Sequence, residues 1–361
     1  MATVPVVKPA PQGGTPAPTA TAAKKLNLIG LERTDYKGAD STLCAGCGHD
    51  SIAAQIITAC YEVGLPPEQV IKLSGIGCSS KSPAYFMSRA FGINTLHGRM
   101  ATVATGALTA NHKLTGIGVS GDGDTGSIGL GNFKHMLRRN VHMVYIIENN
   151  GVYGLTKGQF SATADVGQEL KHAGRNELPP IDLCMEALAT DCGFVARGFA
   201  GDPKQVVALI KAALSHRGTA VLDIISPCVT FNNRDESTKS YAWGKANDER
   251  INDFTFVAQQ SEITAEIEPG ETKEVEMHDG SHIVIKRLDQ GHDPTDRKAA
   301  MTLLQDAREK QLFITGLIYV DSSRESLAEH ENLGDVPLAR LPNAKLRPSK
   351  ESLLKIMNAM V

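Results

Sequence analysis

From residue 43 to residue 226, short apolar runs alternate with stretches whose apolar positions fall at helical spacing. Ile52, Ile56, Ile57 and Cys60 share one helical face, VIKLSG (70–75) reads as a strand, and residues 75–80 form a small-residue loop. IGVSG (117–121) and VHMVYII (141–147) are further β-rich runs, with Phe133, Met136 and Leu137 marking a helix between them. A helix near 182–192, the strand FVARG, an amphipathic helix from Asp202 to His216 and the strand AVLDIIS (220–226) continue the series. Such alternation predicts an α/β fold with a doubly wound, mostly parallel sheet.

After Cys228 the pattern changes. A hairpin or small sheet turning at Asp279 and Gly280, a helix near 297–310, the strand LFITGLIYV and a last helix near 349–360 predict a C-terminal extension over 232–361 that packs on the core or on a partner. Residues 1–23 are mostly Ala, Pro, Thr and Gly, too poor in apolar surface to offset the entropy of ordering. Residues 1–35 therefore read as a flexible or partner-wrapped arm, and 36–231 as the central domain.

A formal net charge of −3 gives no basic field for nucleic acid, and no stretch approaches the roughly 18 apolar residues of a membrane span. The amino terminus lacks the pattern of a secretory signal, so a soluble, cytoplasmic protein is expected. In that setting the seven cysteines (44, 47, 60, 78, 184, 192 and 228) read as reduced thiols or metal ligands rather than a disulfide framework.

Candidate chemistry sits where strands close on polar loops. GDGDTGSIGLGNF (121–133) and ENNGVYG (148–154) follow neighbouring strands, and ligands of open parallel sheets bind at the carboxyl ends of strands. Asp122 supplies a hard anionic oxygen, Asn150 an amide oxygen and the irregular loop after it a carbonyl. With phosphate oxygens and water these complete the octahedron Mg²⁺ demands. Gly121 and Gly123 let backbone N–H groups approach a diphosphate at a helix amino terminus. Gly-Asp-Gly alone is usually a turn. Paired with Asn-Asn across a helix and an apolar strand, it closely resembles the thiamine diphosphate signature. That resemblance makes Asp122 and Asn150 the side-chain Mg²⁺ ligands and Val152 the carbonyl ligand, with Asp124 and Asn149 shaping the cofactor loops.

CAGCGH (44–49) holds a C-x₂-C pair, GIGCSS (75–80) a third cysteine and SPCVTFN (226–232) a fourth. Cys44, Cys47, Cys78 and Cys228 can reach the same sheet edge, and four thiolates suit either Zn²⁺ or an iron–sulfur cluster. Cys60, Cys184 and Cys192 read as core thiols.

CAGCGH, GIGCSS, HGRMATVATG, GDGDTGSIGLGNF, ENNGVYGLTKGQ and SPCVTFN occur in the order seen in 2-oxoacid:ferredoxin oxidoreductase β subunits, and GLTKGQFSAT is most similar to the bacterial two-subunit 2-oxoglutarate type. The resemblance spans about residues 40–235. It implies the diphosphate-binding half of a thiamine diphosphate fold and a 4Fe-4S cluster on Cys44, Cys47, Cys78 and Cys228. The implied reaction is 2-oxo acid + CoA + oxidised ferredoxin → acyl-CoA + CO₂ + reduced ferredoxin. It further implies an α subunit that brings the pyrimidine-binding half, in an αβ or (αβ)₂ assembly. By the same resemblance His97 and Arg99 contact diphosphate or substrate, while Gly77, Ser79, Thr156 and Gln159 lie with the cofactor. His49 either braces a loop or touches the cofactor. Lys81 is expected to pair with the distal carboxylate of a dicarboxylic substrate, with Leu155 as an apolar wall. Two other readings share parts of this pattern: a non-oxidative thiamine decarboxylase or carboligase, and an iron–sulfur or zinc scaffold whose Gly-Asp-Gly loop is incidental.

Overall fold

The computed structural model describes residues 25–259, 272–287 and 292–360. Most of the amino-terminal arm and part of the hairpin region lie outside the described residues.

Among the described residues, eleven strands of three or more residues organise the chain: β1 (Val70–Ser74), β2 (Phe91–Asn94), β3 (Thr115–Gly121), β4 (Met143–Asn149), β5 (Phe194–Phe199), β6 (Thr219–Ile225), β7 (Asp248–Arg250), β8 (Asn252–Val257), β9 (Thr272–Glu276), β10 (His282–Arg287) and β11 (Phe313–Val320). Eight form one sheet in the order β7-β11-β5-β6-β4-β3-β1-β2. Every pairing in it is parallel except β11 with β5. The remaining three make a small antiparallel sheet, β8-β10-β9, turning at Asp279 and Gly280.

Strand alternation sends side chains to two helical layers. On one face Val144 and Ile146 of β4 pack with α1 (Gly48–Glu62) and, later in the chain, Pro203–Ser215. On the other, Met143, Tyr145 and Ile147 meet Met100–Ala110, Leu130–Arg139 and Arg297–Lys310. Both faces are covered, which explains why these strands read as continuous apolar runs rather than alternating ones.

Three expectations change. The segment 232–361 is not only an addition to the core, because β11 and β7 extend the main sheet itself. The helix near 182–192 is limited to Leu183–Leu188: Asp182 caps it by accepting from the N–H groups of Cys184 and Met185, and Asp191, at φ 59°, turns the chain away. Residues 25–35 of the arm are tied to the core, with Asn27 donating to Tyr36 and to the Tyr61 carbonyl, while most of their side chains stay exposed. No helix among the described residues is long and apolar enough to cross a membrane.

Where the carboxyl end of the Pro203–Ser215 helix meets the small sheet, His216 is buried and neither ring nitrogen has a hydrogen-bond partner. Burial, with His278 and His142 nearby, pushes its pKa down to about 3. A folded pKa below the unfolded value favours the neutral ring. This contribution to stability is full above about pH 6.5 and is lost as pH falls towards 3, at up to about 1.4 kcal/mol per pH unit. His216→Phe is expected to lessen the stability lost between pH 7 and pH 5 by about 1–2 kcal/mol, read by urea unfolding at both values. An unchanged pH dependence would contradict this origin.

Candidate functional site

Four adjacent strands, β6, β4, β3 and β1, end at one place, and each is followed by residues of the site. Gly121 at the end of β3 lies in register with Glu148 of β4, and Asn149 with Ile225 of β6. Asp122, only 1% exposed, follows β3 directly. Its Oδ2 accepts from the N–H of Gly151 at 3.1 Å, from the Thr163 hydroxyl at 2.5 Å and from the Ser161 hydroxyl. Among the described residues its Oδ1 receives only the long 3.4 Å contact from the Asn150 N–H. Burial raises its pKa, and among the described residues it makes no ion pair; Lys239, which acts on it from a distance, is bonded to Asp165. A buried carboxylate that lacks a cation and keeps an oxygen free suits a hard divalent ion.

Asn150 is fixed by His49. Burial pushes His49 down to about 4, so the ring is neutral; its Nε2 accepts from the Asn150 amide at 3.4 Å while Nδ1 lies 2.5 Å from the Ser226 hydroxyl. The Asn150 Oδ1 therefore faces the loop, where it accepts from the Val152 N–H at 3.0 Å. Gly151 sits at φ 73°, a conformation that suits glycine at this bend. A Cβ on Gly123 would lie 2.5 Å from the Tyr153 ring, so only a glycine permits that approach. The cleft bounded by Gly77, Ser79, Gly121, Asp122, Gly123, Glu148, Asn150 and Tyr153 encloses about 20 Å³. That is about the size of one water or ion.

The cysteines gather beside this cleft. Cys47 caps α1 with Cys44 just before it, Cys78 opens a 3₁₀ turn after β1, and Cys228 follows β6. A Cβ at Gly154 would lie 3.6 Å from the Cys78 Sγ and 3.7 Å from the Cys228 Sγ, and Thr230 donates to the Cys44 Sγ at 3.6 Å. Burial pushes Cys47 up to about 12, with the Glu148 carboxyl and Cys228 adding to it; Cys78 is raised by burial and then by Cys228. Among the described residues, no three His, Cys, Asp or Glu groups are arranged to hold a single ion. Cys60, Cys184 and Cys192 are fully buried in the core.

Other expected site residues are dispersed. His97 and Arg99 are exposed, and it is the N–H of Gly98 between them that reaches inward, to Asp124 Oδ1 at 2.6 Å. Asp124 also accepts from Ser120 at 3.0 Å, and the chain after it forms a π-helical turn, Asp124–Ile128, rather than an open glycine loop. Asn149 points to Asp223, away from the cleft. Leu155 and Thr156 are exposed and Lys81 is half-buried. Sequence reasoning passed over Glu148, fully buried and accepting from Ser82 at 2.9 and 3.0 Å, with a carboxyl held by burial well above its ordinary range. The signal was a charge in an otherwise apolar strand. Ser161 and Thr163 stood inside GLTKGQFSAT, but no role was assigned to their hydroxyls, because irregular backbone does not show which side chains turn inward.

Residues 75–224 match the family described as thiamine pyrophosphate enzyme, C-terminal TPP binding domain, and 283–333 match the family of the C-terminal part of the pyruvate ferredoxin oxidoreductase beta chain. A 2-oxoacid:ferredoxin oxidoreductase subunit beta from Saccharolobus solfataricus is 44% identical over 55% of this chain and 65% of its own length. A 2-oxoglutarate synthase subunit KorB from Methanocaldococcus jannaschii is 32% identical over 64% of this chain and 87% of its own. The chain belongs to the family of 2-oxoacid:ferredoxin oxidoreductase β subunits. A 2-oxoglutarate oxidoreductase subunit KorB from Mycobacterium tuberculosis is 38% identical over 56% of each chain. The chain thus spans under two thirds of the S. solfataricus and M. tuberculosis members of this β-subunit family. The structure of a 2-oxoglutarate:ferredoxin oxidoreductase from Magnetococcus marinus, solved with 2-oxoglutarate, coenzyme A and succinyl-CoA bound, superposes on 90% of this β subunit and 96% of that chain, with a TM-score of 0.70 and 29% identity. Its fold is that of a thiamine diphosphate-binding domain.

Proposed function

We propose that this chain is the cofactor-binding half of an enzyme that oxidatively decarboxylates 2-oxoglutarate with coenzyme A, yielding succinyl-CoA, CO₂ and reduced ferredoxin. The observation that carries this reading is the convergence at one sheet edge of the buried Asp122 carboxylate, which has no ion pair among the described residues, the oriented Asn150 amide and the Cys78 and Cys228 thiols facing Gly154. Asp122, Asn150 and the Val152 carbonyl would hold Mg²⁺ with the diphosphate, and Cys44, Cys47, Cys78 and Cys228 a 4Fe-4S cluster. When bound, thiamine diphosphate supplies the electron sink for decarboxylation and the cluster accepts electrons singly. The chain's own residues do the rest. His49 keeps the Asn150 oxygen on the metal side, and Tyr153, donating to the Gly123 carbonyl at 3.0 Å, holds the two loops at a fixed separation.

Exposed apolar residues surround the site: Leu96 (77% exposed), Ile128 and Leu155. With so small a cleft, they support closure by an α subunit that brings the pyrimidine-binding half, as αβ or (αβ)₂. All seven cysteines are free, in keeping with a reducing cytoplasm. The names of the M. tuberculosis and M. jannaschii relatives, and the ligands of the M. marinus structure, support 2-oxoglutarate. The pyruvate family match at 283–333 favours a second reading, in which pyruvate is the substrate.

Cys78→Ser is expected to lose bound iron, whereas Cys184→Ser, altering a thiol sealed in the core, retains it; equal iron loss would contradict the ligand set. Lys81 lies on the turn that carries Cys78, close enough for its charge to act on that thiol. Lys81→Ile is expected to lower kcat/KM for 2-oxoglutarate by about 1.5–3 kcal/mol, ten- to hundredfold, and to spare pyruvate, measured on the enzyme reconstituted with its α subunit. A uniform decline would assign Lys81 to the turn and cluster instead.

A further inference from the structure

At the edge of the main sheet opposite Asp122, where the central strands begin, a cavity of about 500 Å³ opens beside Asn140. Asn140 marks that edge, because its Oδ1 accepts from the N–H of Thr219, the first residue of β6, at 3.0 Å. Three guanidinium side chains line the cavity. Arg138 and Arg139 come from the last turn of the helix Leu130–Arg139, and Arg324 from the segment that follows β11. Among the described residues none of the three makes an ion pair or a side-chain hydrogen bond. Glu325 and Glu331 also line the space, yet neither pairs with an arginine there, and Asp321 nearby accepts instead from the N–H and hydroxyl of Ser323, at 2.9 and 2.6 Å.

The negative end of the helix dipole accounts for Arg138 and Arg139, which are exposed. It does not account for Arg324, whose Nη1 is buried without a hydrogen-bond partner. Burial is the main influence on the neighbouring Cys192, Tyr319 and His216, and the positive charge of Arg324 reaches all three. A buried donor without an acceptor and three like charges around one space are both unfavourable, and a single polyanion relieves both. We propose that this cavity binds a small molecule bearing a diphosphate, of the inorganic pyrophosphate or nucleoside diphosphate class. Guanidinium groups present paired N–H donors that match phosphate oxygens, and the volume falls within the roughly 300–1,000 Å³ of small-molecule sites. The helix Leu130–Arg139 joins this site to the other edge: its amino end follows the turn of Asp124, which accepts from the Gly98 N–H, and its carboxyl end carries Arg138 and Arg139. A diphosphate bridging these arginines to Arg324 fixes that helix from its far end.

Calorimetry on the full chain, titrated with inorganic pyrophosphate and separately with ADP, tests the proposal. Divalent metal is chelated, so that nothing bridges the Asp122 carboxylate to a diphosphate and the cofactor cleft does not compete. Expected is saturable binding to one site, weakened tenfold or more in Arg324→Gln and in the double variant Arg138→Gln/Arg139→Gln, and unchanged in Lys204→Gln, which removes an exposed charge elsewhere. Tighter binding of ADP assigns the site to a nucleotide, and equal affinity assigns it to the diphosphate alone. Absence of saturable binding by the wild type, equal weakening in Lys204→Gln, or loss of binding in Asp122→Ala overturns the proposal. If circular dichroism shows that Arg324→Gln does not fold, the double variant at two exposed positions still decides.

Discussion

The site depends on one electrostatic constraint, a carboxylate almost wholly removed from water with no ion-pair partner among the described residues. Leaving Asp122 so buried is costly, and the chain offsets the cost with two hydroxyls and a backbone N–H on Oδ2. Those donors serve one oxygen and spare the other. The fold supplies them from separate places, the Asn150 to Val152 bend and the loop holding Ser161 and Thr163, so moving either loop removes the compensation. Gly151 and Gly123 belong to the same constraint, because the bend and the Tyr153 approach exist only where no side chain intervenes.

The sheet delivers everything to one edge. Because β6, β4, β3 and β1 are adjacent and parallel, their following residues, Cys228, Asn150, Asp122 and Cys78, converge without a long connection between them. The thiols and the carboxylate share this edge, and Glu148 bears on both: its carboxyl is 3.8 Å from His49 Nδ1 and adds to the upward push on Cys47. A group that accepts electrons and a cofactor that releases them would occupy neighbouring places on a rigid frame, which suits single-electron chemistry.

Much of this was legible in the sequence. The strands that bear the site were apolar runs ending on glycine or polar residues, and Asp122, Asn150 and the four cysteines stood out by residue type against those runs. Asp223 did not, since a single acid within AVLDIIS was absorbed into a strand whose apolar count was high. Its hydrogen-bond partners, Asn149 and Arg197, are neighbours across the sheet and distant along the chain. Ser161 and Thr163 lay within GLTKGQFSAT, yet their turn towards Asp122 was hidden for a similar reason, because irregular backbone has no period to read. β11 was recognised as a strand but not as part of the main sheet, since antiparallel addition at an edge leaves no mark on spacing. His97 and Arg99 were assigned from a motif, whereas it is the backbone of Gly98 that engages Asp124 and their side chains face outward.

In the proposed function, Asp122 would hold the metal–diphosphate beside a thiolate-bound cluster that takes the electrons. The most direct measurement is the anaerobic visible spectrum of the enzyme reconstituted with its α subunit, before and after adding 2-oxoglutarate and coenzyme A, for wild type and Asp122→Ala. Bleaching of iron–sulfur absorbance in the wild type, and its loss in a variant that retains its iron, is the expected result. Bleaching of equal extent in both proteins would contradict the account.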